Sequence, residues 1–100
     1  MDLYNKTSYA ISKLVTKNYS TSFSLGIAAF SPQYRDAIYG IYGFVRIADE
    51  IVDTFHHVDQ KQMMANFRKE TEEALKTGLS TNPILQAFVH TVKQYNIDYH

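Results

Sequence analysis

Cysteine is absent from the 100 residues, which excludes a disulfide, a thiolate metal site and a cysteine nucleophile, and fits a reducing compartment. An excess of one charge is missing as well. Ten Lys and Arg balance ten Asp and Glu, so the chain lacks the field of a bulk nucleic-acid binder and no nucleic-acid partner is expected. The longest stretch without a formal charge, residues 18–34, is rich in Ser and Thr and contains Pro32. It falls short of the roughly 20 apolar residues of a membrane span. Met1 and Asp2, followed by mixed polar residues, lack the basic-then-apolar order of a secretory signal. There is no glycine-rich phosphate loop, and Ser20 and Ser22 have no acid or base in helical register for a nucleophilic triad. What remains is a cytoplasmic, soluble chain. Its 45% hydrophobic and 20% charged residues suit a globular domain rather than a disordered tail or a rod.

Helical punctuation is plentiful. Ile11, Leu14 and Val15 form an apolar stripe that predicts a first helix over about residues 4–17. A small, apolar segment around Leu25 to Ala29 predicts a second over about 20–30. Ser31-Pro32 reads as an N-cap followed by proline at the first helical position, opening a long helix to about His57. Asp59 with Gln62 forms a capping box, with Val58 and Met63 as a hydrophobic staple. Met63, Phe67, Thr71, Ala74 and Leu75 then keep one face inward until Gly78, the expected left-handed terminator. Asn82-Pro83 repeats the cap, and Ile84, Leu85, Phe88, Val89, Val92 and Tyr95 give the fifth stripe. No strand alternation competes, so the fold class is all-α. Asn96 ends the fifth helix; Asp98 is either the cap of a further helix or part of a frayed end. No repeat or linker divides residues 1–100.

On a helical wheel, Arg35, Tyr39, Tyr42, Arg46, Asp49, Glu50, Asp53 and His57 share one arc of the third helix, opposite Ile38, Ile41, Phe44, Val45, Ala48, Ile51, Val52 and Phe55. One reading is a wet surface face, with Arg46 pairing to Asp49 or Glu50 for about 0.2–0.5 kcal/mol. Three features point instead to a site. Asp49 and Asp53 are four apart, so their carboxylates emerge on adjacent turns, a spacing that suits magnesium, which takes one or two carboxylates and completes its octahedron with water and phosphate oxygens. Tyr39 and Tyr42 put aromatic surface where charged residues would serve a wet face. Gly40 and Gly43 each cost about 1 kcal/mol inside a helix, which predicts another backbone packed against them. Elsewhere the signals are weak: adjacent His56 and His57 point apart, His90 and His100 lack a visible partner, and Lys69, Glu70, Glu72 and Glu73 read as a solvated face.

The stretches STSFSLGI, residues 20–27, and YGIYGFVRIADEIVDTF, residues 39–55, closely resemble the phytoene/squalene synthase family, the head-to-head prenyl transferases, with the nearest likeness to bacterial phytoene synthases of carotenoid biosynthesis. The likeness spans most of residues 4–99. It implies the all-α isoprenoid (terpenoid) synthase fold, in which helices surround an apolar cavity and two aspartate-rich motifs hold magnesium (Mg2+), or manganese (Mn2+), at its mouth. Asp49 and Asp53 match the metal ligands of the first motif. Arg46 matches the diphosphate-contacting arginine, Tyr42 the cavity tyrosine, and Ser20, Ser22 and Phe23 the segment that closes over the diphosphate and the start of the prenyl chain. Glu50 departs from the aspartate common at its position, keeping the charge on a longer arm. The second motif is missing, so the resemblance implies the N-terminal part of a single longer domain, inactive alone. In the complete enzyme it implies transfer between two geranylgeranyl diphosphates to give phytoene. Squalene and dehydrosqualene synthases, acting on farnesyl diphosphate, share these motifs, and a non-catalytic helical assembly module is the remaining alternative. The expected partners are a prenyl diphosphate, a membrane surface touched peripherally, and further copies of the chain meeting through apolar faces.

Overall fold

Helix starts are set by side-chain oxygens that take up free first-turn N–H groups. In the computed structural model, which describes residues 1–98, α1 (Leu3–Tyr19) is capped by Asp2, which accepts from the Asn5 N–H at 2.8 Å. α2 (Thr21–Ile27) is capped by Ser20, which accepts from the Phe23 N–H at 3.2 Å. α3 (Pro32–Asp53) has Pro32 in its first turn as expected, but Ser31 makes no side-chain cap bond. α4 (Gln60–Thr77) is capped by Asp59 through the Gln62 N–H at 3.0 Å and ends at Gly78, in the left-handed conformation at φ 82°. The capping box is only half made, because the Gln62 side chain donates to Asn66 at 2.9 Å instead. α5 (Pro83–Gln94) is capped by Asn82 through the Ile84 N–H at 3.0 Å. No strand occurs among the described residues, and none of their helices is long and apolar enough to cross a membrane. Tyr99 and His100 lie outside the described residues, and with them the choice between a further helix capped by Asp98 and a frayed end.

α1, α3 and α5 pack mutually, with α2 laid on α1 and α4 on α3 and α5. The crossing is close because of the two glycines. A Cβ on Gly40 would stand 2.9 Å from Thr91 Oγ1, 3.1 Å from the Ala87 carbonyl oxygen and 3.1 Å from the Tyr9 ring, and one on Gly43 would stand 3.1 Å from Ser12. This close approach corrects the reading of α1. Its inward face is Ser8, Tyr9, Ser12 and Thr16, all buried, whereas Leu14 of the expected apolar stripe is 57% exposed. Small hydroxyl side chains fit against glycine, and Ser8 and Thr16 satisfy their own protons on the carbonyls of Tyr4 and Ser12, both at 2.9 Å. At the other end of α1 the Tyr4 hydroxyl donates to the Ser80 carbonyl, and Gln86 joins Asn5 at 2.9 Å.

The larger apolar side chains gather on the far side of α3. Ile51, Phe67 and Leu85 form one core, with Phe44, Ile47 and Met63 against it. Ala74, Leu75, Val89 and Val92 form another, with Phe88. Phe44 joins the two, stacked on Phe88 at 3.9 Å and on Phe67 at 5.5 Å between ring centroids.

α3 is also corrected in two respects. It ends at Asp53 rather than near His57, because Thr54 and Phe55 both donate to the Glu50 carbonyl, at 3.0 and 3.2 Å, and the Gln60 side chain donates to the carbonyls of Ile51 and Val52, both at 2.9 Å. His57 therefore falls off the polar arc. The helix is also rotated relative to the amphipathic reading: Tyr39, Gly40, Gly43, Glu50 and Ile51 are buried, while Ile41, Val45 and Val52 are exposed. Its outward face is an apolar strip bordered by acids.

Candidate functional site

Five residues of α3 follow one another on successive turns, Tyr42, Arg46, Asp49 with Glu50, and Asp53, and two of them meet the junction of α1 and α2, Arg46 at Tyr19 and Tyr42 at Phe23. Ser20 makes that junction tight. Its N–H closes α1 on the Thr16 carbonyl at 2.8 Å while its hydroxyl oxygen opens α2, so a single residue caps both helices. The turn brings Phe23 onto Tyr42, the rings stacked at 4.8 Å and 24°. Ser20, Ser22 and Phe23 line a surface groove of roughly 790 Å³ whose apolar remainder includes Ile27, Phe30 and Ile38.

The charges divide between inside and outside. Arg46 Nη2 lies 2.9 Å from Glu50 Oε1 and 4.0 Å from Asp53 Oδ2. Its guanidinium carbon sits over the Tyr19 ring, 5.1 Å from the centroid. Its Nε is buried and has no hydrogen-bond partner. Glu50 is buried at 8% exposure, and the long arm noted in the sequence is what reaches back one turn to Arg46. Asp49 is exposed and makes no hydrogen bond or ion pair with a described residue. Asp53 keeps 65% of its side chain in solvent. Partial desolvation, then the charge and hydrogen bonding of the nearby Glu50 carboxylate, push the Tyr19 phenol above its ordinary value, with the Arg46 charge opposing.

The structure thus brings together Phe23 with Tyr42, and Arg46 with Glu50 and Asp53. Two members of the polar arc do other work. Arg35 donates to the carbonyls of Phe30 and Ala28, both at 2.9 Å, tying the loop after α2 to α3. Tyr39 is 6% exposed and packs inside, with the Lys13 ammonium 5.7 Å from its ring centroid. Sequence reasoning missed Tyr19, and its only signal was its place just before the Ser20 segment. His56 is no ligand either, since its ring Nε2 meets the Asp53 carbonyl at 2.7 Å.

No cluster of three or more His, Cys, Asp or Glu side chains stands ready to hold a metal among the described residues. Two exposed hard-oxygen carboxylates on adjacent turns, one of them without an internal partner, are compatible with a hydrated divalent cation that takes its remaining ligands from water and phosphate.

The family model for squalene/phytoene synthase matches residues 16–99. No curated protein and no solved structure gives a significant match. Because the match takes in the end of α1, the Ser20 junction and the whole of α3 as well as the helices behind them, the chain belongs to the squalene/phytoene synthase family.

Proposed function

We propose that this chain carries the first metal- and diphosphate-holding motif of a magnesium-dependent head-to-head prenyl transferase that joins two geranylgeranyl diphosphates to phytoene. The observation that carries the reading is the place of Asp49 and Asp53: outward-facing, a turn apart, between Arg46 on one side and exposed Val45, Val52 and Ile41 on the other. Family membership supports the same chemistry.

Loss of diphosphate from a prenyl chain separates charge, leaving an anion on the phosphates and a cation on the allylic carbon. Magnesium, or manganese in its place, supplies positive charge to the leaving group when bound. Asp49 and Asp53 would hold it, and neither is assigned as a general base. Arg46 adds charge-assisted donors to the phosphate oxygens. The Ser20 oxygen accepts the Phe23 N–H and keeps its own proton to donate to phosphate. Ile41, Val45 and Val52 exclude water from the cation. The stacked faces of Phe23 and Tyr42 offer it their quadrupole. The family resemblance implies a second aspartate-rich motif that residues 1–100 do not contain, and these residues alone are expected to give no product.

In the full-length enzyme, Asp49→Asn and Asp53→Asn should each lower turnover of geranylgeranyl diphosphate by about a hundredfold or more at saturating magnesium. Unchanged turnover in both variants refutes the assignment. Farnesyl diphosphate assayed in parallel decides between the phytoene type and the squalene or dehydrosqualene type.

A further inference from the structure

The Arg46 side chain is held from two directions by groups that the family reading does not use. Glu50, one turn along the same helix, takes Nη2 at 2.9 Å. Tyr19, the last residue of another helix, covers the guanidinium face at 5.1 Å. A guanidinium is planar, so a contact on its face and a contact on its edge together fix its orientation, which neither does alone. The position of Tyr19 is itself determined. The Ser20 double cap ends α1 one residue later, and the Gly43–Ser12 contact sets how near α1 comes to α3. The Nε that this arrangement leaves buried and unpaired shows that Arg46 is placed by its ring and carboxylate contacts rather than by using every donor it has.

We propose that Tyr19 is a positioning residue for Arg46, its ring face holding the guanidinium, together with Glu50, in the orientation that receives a diphosphate at the acid motif. The inference rests on the proposed function for the identity of the ligand and on geometry for the contact itself. A ring face is what the role requires, so Phe serves and an aliphatic side chain does not. Because Tyr19 is half exposed, its replacement leaves the core untouched.

The test uses the full-length protein with two readouts, the nuclear magnetic resonance signal of the Arg46 Nε–H and calorimetric titration with inorganic pyrophosphate plus magnesium. The wild-type Nε–H signal should exchange slowly with solvent. Tyr19→Leu and Tyr19→Ala should speed that exchange and weaken magnesium pyrophosphate binding by about two- to fivefold, and Tyr19→Phe should restore both. An Arg46 signal and a pyrophosphate affinity that stay at wild-type values in Tyr19→Leu and Tyr19→Ala overturn the proposal. So does a Phe variant that behaves like the Leu variant, since the phenol oxygen and not the ring would then be responsible. Failure of the wild-type protein to bind magnesium pyrophosphate overturns the functional reading, and the exchange data then report separately on the Tyr19–Arg46 contact.

Discussion

The Tyr9 hydroxyl lies 2.8 Å from His90 Nδ1, and the same hydroxyl lies 2.8 Å from Thr91 Oγ1. Thr91 donates its own proton to the Ala87 carbonyl at 2.8 Å, so Tyr9 must donate to Thr91, and His90 must donate to Tyr9. The chain of donors runs from the partly exposed histidine to a backbone carbonyl in the α1–α3–α5 crossing. It requires the Nδ1–H form of His90. Nitrogen chemical shifts of the neutral ring should report that form. A protonated Nε2 with a bare Nδ1 would refute this assignment of donors.

Tyr9 also predicts the alkaline limit of stability. Burial raises its phenol above the ordinary value, and the charge of Asp36 raises it further. The net shift is upward, so the folded protein keeps a proton that the unfolded chain releases near pH 10. Its contribution is complete below that value and is lost as pH rises through the higher folded value. Denaturant unfolding from pH 8 to 11 should show stability falling in wild type, and falling less steeply in Tyr9→Phe.

Gly40 and Gly26 should respond to alanine with opposite signs. A Cβ on Gly40 meets Thr91 Oγ1 at 2.9 Å and a backbone oxygen at 3.1 Å, whereas one on Gly26 meets nothing within 4 Å. Overpacking costs about 1–3 kcal/mol, and alanine returns about 1 kcal/mol of helix propensity. Gly40→Ala should therefore be destabilising by up to about 2 kcal/mol, and Gly26→Ala stabilising by up to about 1 kcal/mol, in urea midpoints with unchanged slopes.

Glu50 and Asp49, neighbours near the end of α3, should separate in the same assay. Glu50→Gln removes the carboxylate from a partly buried guanidinium and should cost about 1–2 kcal/mol, less than a fully buried pair because both side chains retain some solvent. Asp49→Asn should change stability by less than about 0.5 kcal/mol, since Asp49 has no partner among the described residues. A substantial loss in Asp49→Asn would mean that Asp49 holds the fold and not a ligand.

The limits of helices were largely legible because they are written locally. Asp59, Gly78 and Asn82-Pro83 each act within one turn, and each is found doing so. The glycines of α3 were legible too, as positions whose cost required a close neighbour. Which face of α1 and α3 turns inward was not. Periodicity ranks side chains by polarity, but here the crossing is decided by size: Ser8, Ser12 and Thr16 go inside because they are small, Ser8 and Thr16 also bonding their own helix, and the larger Leu14 is left out. The division of the acid motif was hidden for a related reason. Glu50 turns inward because of Arg46, and Arg46 lies where it does partly because of Tyr19, a contact between two helices that no single helical wheel contains.

Ser20 closes α1 and opens α2 with no intervening residue. Tyr19 and Phe23, on either side of it, grip α3 at Arg46 and at Tyr42. Such a joint has no slack: α1 and α2 cannot shift against each other at Ser20 without disturbing either the seat of Tyr19 on Arg46 or that of Phe23 on Tyr42.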